Sequence, residues 1–262
     1  RAFRRPLTAM EREGLMAFYR SARADNGGDH EESIRDGIVR ILVSPHFCYR
    51  IDLVEASGAA VTDGRARPPG GPSEENVVDA PPGGRALPLS DHALASRLSY
   101  FLWSSQPDAE LLACAARGEL RRPEVLAAQA RRMLQDGRIR NFATEFAGHW
   151  LDFRRFEEHN AVDRERFPAF DPALRAAMFE EPLRFFTAVV REGRPALDFL
   201  YGDYTFVNAP LARHYGMPAP VNPDADGWAR VDRASAFERG GLLPMAVFLT
   251  ANSPGLRTSP VK

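Results

Sequence analysis

The residue types able to do chemistry gather in two short segments. The first is Asp203-Tyr204-Thr205-Phe206-Val207-Asn208, a carboxylate and an amide at the ends of an aromatic run, with His214 a little further on. Asp203, Tyr204, Asn208 and His214 together could line a polar cleft between helices. The plainer structural reading makes Asn208 the cap of a short helix ahead and Phe206 a core anchor. The second segment follows the apolar run Leu242 to Leu249, read as buried, and holds Asn252, Ser253, Arg257, Thr258, Ser259 and Lys262. Hydroxyls, an amide and two cations on an irregular backbone suit an anionic or carbonyl-bearing ligand. Against this stands the reading of Ser253-Pro254 and Ser259-Pro260 as turn formers. The candidate polar cleft is therefore Asp203, Tyr204, Asn208, His214, Asn252, Arg257, Thr258 and Lys262.

Metal chemistry has one candidate, Glu145 and His149, four apart on a helical pattern and so on one face. They would supply half of a site and need two further ligands, while an ion pair explains them equally well. His46 and His92 have no partner at ligand spacing, and His159, which follows Glu157 and Glu158, reads with them as mostly solvated. The chain lacks His-Glu-x-x-His, Gly-x-Ser-x-Gly, a phosphate-binding glycine loop and a dinucleotide fingerprint. It also lacks Cys-x-x-Cys-His, so no haem is attached to this chain and no cofactor is expected within it. Cys48 and Cys114 could pair, but each sits among apolar neighbours, which favours two buried thiols. Tyr100, Phe101, Trp103 and Trp150 could pack near a cofactor, but aromatics at this spacing more often form core, and they read as core.

The elements that position these residues follow from periodicity. Thr8 and Glu11 form a capping box at the start of a first helix carrying Leu15, Phe18, Tyr19 and Ala22. Ile34, Ile38, Ile41 and Leu42 share a face of a second, which ends at Ser44-Pro45. The alternation Phe47, Tyr49, Ile51, Leu53 predicts a short extended segment. Ser90 caps a helix with Leu94, Leu98, Phe101 and Leu102, and Pro107 suits the first turn of the next. Phe142, Phe146, Trp150 and Phe153 form one stripe, which places Trp150 in the core. Asp171-Pro172 opens a long helix in which Pro182 predicts a kink or a break. Asn208 to Tyr215 is a short helix, Trp228 to Val231 a short strand, and Gly240-Gly241 a tight entry to a helix over 240–250. The fold class is mainly α, a multi-helix orthogonal or bundle-like assembly with a few short extended segments.

Composition sets the outer bounds. Over 262 residues, 34 basic and 35 acidic side chains leave a net charge of −1, so no global field favours nucleic acid or an anionic membrane. No stretch offers the ~18 uninterrupted apolar residues a transmembrane helix requires. Residues 57–88 hold six prolines and six glycines with no apolar period, a flexible insertion. It separates an N-terminal helical module (1–56) from a central helical module (89–216), followed by a loop and the start of a truncated C-terminal module (217–262). The ends, Arg1 and Ser-Pro-Val-Lys262, read as cuts in a longer chain, and no signal peptide is visible.

Six phrases are more specific than helix patterns: RAFRRPLT (1–8), ILVSPHFCYR (41–50), LSDHALASRLSYFLWSSQPD (89–108), DYTFVNAPLARHY (203–215), RGGLL (239–243) and TANSPGLRTSPVK (250–262). In this order they resemble consecutive domain-of-unknown-function modules of large planctomycete-type cytochrome c proteins. The resemblance implies a c-type haem on a neighbouring domain of the same polypeptide, export to the periplasm or beyond, and a link to oxidoreductase chemistry. It carries no catalytic residues over. His149 departs from the family pattern, which has an amide residue before the tryptophan. Two functions remain open: a helical module of an exported haem-linked protein, or a non-catalytic scaffold or binding module at the cell envelope. The small-molecule ligand is unknown.

A segment as rich in Pro and Gly as 57–88 cannot bury enough apolar area to offset its ordering entropy. Deleting residues 58–84 should leave the melting temperature within about 5 °C of the parent, as read by differential scanning calorimetry.

Overall fold

Helices make up most of the computed structural model, which describes residues 2–25, 27, 29–49, 89–158 and 162–251. The sheet among these residues has two strands, so the fold is mainly α, as the periodicity predicts. The insertion 57–88, His159, and Asn252, Arg257, Thr258 and Lys262 lie outside the described residues. By packing, the chain divides into two compact units: Arg1–Tyr100 with Ser105–Ala127, and Phe101–Ser104 with Ala128–Lys262.

In the first unit, α1 (Ala9–Asp25) opens on the expected capping box. The Glu11 amide donates to Thr8 Oγ1 (3.2 Å), and the Thr8 amide to Glu11 Oε2 (2.8 Å). Arg5 clamps the same carboxylate with two nitrogens, which, ahead of the other contacts, holds its pKa down at about 2. Asp29 caps α2 (His30–Leu42), and Ser44 with Pro45 starts the turn α3 (Pro45–Cys48). Arg4 joins three of the recognisable phrases: its guanidinium donates to the carbonyls of His46 and Phe47 and to the Tyr100 hydroxyl. The extended segment expected from Phe47 is thus a helical turn at its start, because a capped Pro45 fixes helical φ. Cys48 is exposed and unpaired rather than buried, whereas Cys114 is buried as expected. α4 (Asp91–Trp103) and α5 (Ala109–Ala116) close a core of Ala95, Leu111, Cys114 and Leu120. Asp108 caps α5, so Pro107 precedes the helix instead of entering its first turn.

The second unit is built on α9, introduced after three shorter elements. α6 (Pro123–Gln135), whose last turns belong here, leads to α7 (Ile139–Phe142), a π-helical turn over Ala143–Ala147, and α8 (Gly148–Trp150). The π turn corrects the core assignment of Trp150, which is 59% exposed, with Phe146 also exposed. Its i→i+5 bonding inserts an extra residue into the turn, so a stripe drawn at α-helical spacing rotates off the core face. Phe142 and Phe153 of that stripe are buried. The buried tryptophan is Trp103, which donates its indole N–H to the Met133 carbonyl (3.0 Å) beneath the Arg138 guanidinium. Phe101, by contrast with its core assignment, is exposed.

α9 (Pro172–Glu192) starts at the Asp171 cap and ends at Gly193, whose left-handed φ of 62° satisfies the last carbonyls. It runs unbroken through Pro182. The lost backbone bond costs about 3 kcal/mol, and burial of the helix against β1, α11 and α12 offsets it. α10 (Asp198–Tyr201), β1 (Tyr204–Val207), α11 (Ala209–His214) and β2 (Ala229–Asp232) follow, β1 and β2 pairing antiparallel from Tyr204↔Asp232 to Val207↔Ala229. The helix expected over 240–250 is only α12 (Ala246–Ala251). Gly240 and Gly241 have φ of 119° and 64°, and Gly241 N donates to Gly202 O (2.8 Å). A Cβ on Gly241 would lie 2.5 Å from the Leu200 carbonyl, so the glycine pair serves a close backbone crossing rather than a helix entry. Leu242 and Val247 of the apolar run are buried, whereas Leu243 and Leu249 are exposed.

All three tryptophans, Trp103, Trp150 and Trp228, fall in this unit, so their fluorescence reports its unfolding. In urea titrations Trp103→Ala should cost roughly 3 to 5 kcal/mol, and Trp150→Ala about 1 kcal/mol or less.

Candidate functional site

A cavity with a largely apolar wall lies in the second unit. Val162, Arg166 and Phe167 to Phe170 form one side, Leu174 and Met178 of α9 the floor, and His214 of α11 with Leu249 and Thr250 of α12 the other side. Its volume is about 560 Å³, within the range of small-molecule sites. Each wall is placed by its own local chemistry. Asp171 fixes the start of α9 by accepting from Leu174 N (2.7 Å), and Asn208 fixes α11 by accepting from Leu211 N (3.1 Å). His214 stands at the rim with much of its side chain in solvent. Its ring is nevertheless crowded enough that desolvation, and then the Arg239 charge, lower its pKa below the usual histidine value. At neutral pH it is an uncharged hydrogen-bonding group over carbon.

One helical turn along α9 from Met178 of the cavity floor, Glu181 is 0% exposed. Thr205 of β1 donates to Glu181 Oε1 (2.6 Å) and Tyr215, the residue after His214, donates to Glu181 Oε2 (2.6 Å). The Tyr215 oxygen accepts in turn from the Ala246 amide at the start of α12 (2.8 Å). The Arg239 guanidinium lies 4.3 Å from the centre of the Tyr215 ring. Burial pushes the Glu181 pKa up to about 7, with the two hydroxyl donors and Arg239 pulling the other way. Burial and the neighbouring carboxyl raise Tyr215 so far that it stays a neutral donor.

The residues singled out from sequence take separate places. The Asp203 carboxylate accepts from the Ser235 amide (2.8 Å), tying β1 to the turn after β2. Tyr204 is buried, stacked on Phe185 at 4.7 Å with the Arg230 and Arg194 guanidiniums over its ring at 4.0 and 4.7 Å. Its hydroxyl is buried without a partner, and burial raises its pKa. Asn208 is the cap noted above, and His214 alone of these four lines the cavity. Glu145 gives one oxygen to Arg154 (2.9 Å), and His149 Nδ1 meets the Glu145 carbonyl oxygen (2.6 Å) with the Glu145 carboxylate 4.0 Å away. Among the described residues no group of three or more His, Cys, Asp or Glu side chains is placed to hold a metal ion.

A second cavity of about 620 Å³ runs along the opposite edge of α9. Its charges answer one another: Arg184 pairs with Glu180 and Asp224, and Arg191 donates to the carbonyls of Leu134 and Asp136. Sequence reasoning passed over Glu181 and Tyr215. The available signal was the position of Glu181, within one helical turn of Ala177, Met178 and Phe185, where a carboxylate interrupts the core-facing stripe of a long helix.

Two family models match the chain: PSD5, a protein of unknown function (DUF1595), over residues 1–52, and PSD4, a protein of unknown function (DUF1592), over residues 89–217. The chain thus carries consecutive modules similar to two families of unknown function. Comparison with curated proteins and with solved structures yields no match.

The folded pKa of Glu181 lies above its ordinary value of 4.5, so its favourable contribution is complete below about pH 4.5 and is lost as pH rises toward 7. Over that window the second unit should lose roughly 3 kcal/mol of unfolding free energy. His214, with a pKa lowered by desolvation and the Arg239 charge, acts in the opposite direction below the usual histidine range. Comparing urea titrations of wild type and Glu181→Gln by tryptophan fluorescence isolates the carboxyl. The difference between the two curves should narrow or reverse in favour of Glu181→Gln above pH 7.

Proposed function

We propose that the chain is a helical binding module of an exported, haem-linked protein, and that it holds an apolar small molecule in the cleft bounded by Phe167, Met178, His214 and Leu249. The cleft itself carries this reading. Its wall is largely carbon, its volume suits a ligand of ring or short-chain size, and the neutral His214 imidazole, with the Arg166 guanidinium also on the lining, offers hydrogen bonds that would orient a polar end. The polar side chains that suggested chemistry are engaged in holding the fold, Asp203 on a turn amide and Asn208 as a helix cap. That commitment supports binding over reaction. The haem link and the export rest on the resemblance of the six sequence phrases to modules of planctomycete-type cytochrome c proteins. Two adjacent modules of unknown function in the chain fit that arrangement. The c-type haem would sit on a neighbouring domain of the same polypeptide.

The neutral fluorophore N-phenyl-1-naphthylamine tests the cleft. Wild type should enhance its emission with saturable binding, and Leu249→Trp should weaken binding at least tenfold by filling the cleft from an exposed position. Equal binding by both proteins places the probe elsewhere and ends the reading. Purification of the longer polypeptide should separately give a c-type haem absorption spectrum.

A further inference from the structure

We infer that Glu181, Tyr215 and the Ala246 amide form a proton-sensitive latch that positions the α12 wall of the cleft. The inference concerns regulation of the site proposed above and rests on that reading for its ligand, though not for its mechanics. α12 contributes Leu249 and Thr250 to the cavity, and its first amide is held by a single acceptor, the Tyr215 hydroxyl oxygen. That hydroxyl has one proton, given to Glu181. Met178, one helical turn before Glu181, forms the cleft floor, and His214, one residue before Tyr215, forms its rim. Floor and rim are thus chain neighbours of this network, and the wall is bonded to it through Tyr215.

The groups facing that carboxyl come from every element packed on it. β1 presents the neutral Thr205 hydroxyl, α11 presents Tyr215, and the loop before α12 brings the Arg239 charge near; α12 itself presents a backbone amide. Two O–H donors at 2.6 Å are the distances of bonds to a carboxylate, and they stabilise the ion. Complete removal from water opposes them and prevails, so the closed latch retains a proton on Glu181 up to about pH 7. When the proton is bound, Oε1 can donate to Thr205, whose hydroxyl rotates, while Oε2 still accepts from Tyr215. An opened latch would let water reach the carboxyl and return it toward its ordinary pKa of 4.5. Linkage then requires that opening become easier as pH rises between those values and level off above them. At low pH the wall is held, and at pH 8 it is loosened.

Hydrogen exchange of the Ala246 amide, corrected for the intrinsic pH dependence of exchange, reads the latch without any ligand. In wild type its protection should fall roughly 10- to 100-fold from pH 5 to pH 8. In Glu181→Gln, which cannot titrate, protection should be flat, and the Leu112 amide of the first unit should be flat in both. Tyr215→Phe removes the acceptor and should abolish both the protection of Ala246 and its pH dependence, which covers the case that Glu181→Gln fails to fold. A flat wild-type profile, the wild-type fall persisting in Glu181→Gln, or the fall surviving in Tyr215→Phe would each overturn the latch. N-phenyl-1-naphthylamine affinity gives the second readout, tighter at pH 5 than at pH 8 in wild type alone. If the fluorophore fails to bind at either pH while Ala246 behaves as stated, the ligand reading fails and the latch stands.

Discussion

A carboxyl group taken wholly out of water governs how the second unit is assembled. Glu181 can be buried only if its oxygens find donors, because desolvating a charged or strongly polar group without partners costs several kcal/mol. Both donors come from elements distant in sequence, Thr205 on β1 and Tyr215 at the end of α11. Satisfying one side chain therefore sets the placement of a strand and a helix against α9. Tyr215 passes the constraint on, since its oxygen is the acceptor for the start of α12. The rest of the packing around α9, including Phe185 on Tyr204 and Phe186 on Phe199, is apolar and less directional. Such contacts tolerate small shifts that two bonds of 2.6 Å do not.

Glycine makes the same assembly sterically feasible. The backbone over 239–242 crosses that over 199–203 with amide-to-carbonyl bonds, and Gly240 and Gly241 are the positions of positive φ where a side chain would strike a carbonyl. The crossing places Arg239 beside Tyr215 and delivers the chain to Ala246. Thus a local requirement for absent side chains and a buried requirement for hydrogen bonds act on the same few residues. This is why the RGGLL and DYTFVNAPLARHY phrases, separate in sequence, belong to one structural device.

The first unit shows a different economy, in which arginine replaces burial. Arg4 satisfies carbonyls of the turn at 46–47 and the Tyr100 hydroxyl, and Arg5 holds the Glu11 capping carboxylate. The planar guanidinium can serve several acceptors at once from a fixed fork, which a lysine could not do with the same geometry. The α2 positions Ile34, Ile38 and Leu42, one apolar stripe by periodicity, remain exposed among the described residues.

By itself the sequence determined what depends on neighbours along the chain. The capping box Thr8–Glu11, the caps at Ser90, Asp171 and Asn208, the short helix after Asn208 and the mainly α class were legible because each rests on bonds between residues a few positions apart. Tertiary structure decided the rest. The π turn at 143–147 moved Trp150 off the core face, packing carried α9 through Pro182, and the crossing of two backbones turned Gly240-Gly241 away from a helix start. The roles of Glu181 and Tyr215 were likewise invisible in order of residues, since a hydrogen bond between positions 34 apart leaves no local periodicity. Local propensity reads the angles a residue prefers, whereas burial and long-range donors choose among those angles only once the chain has closed on itself.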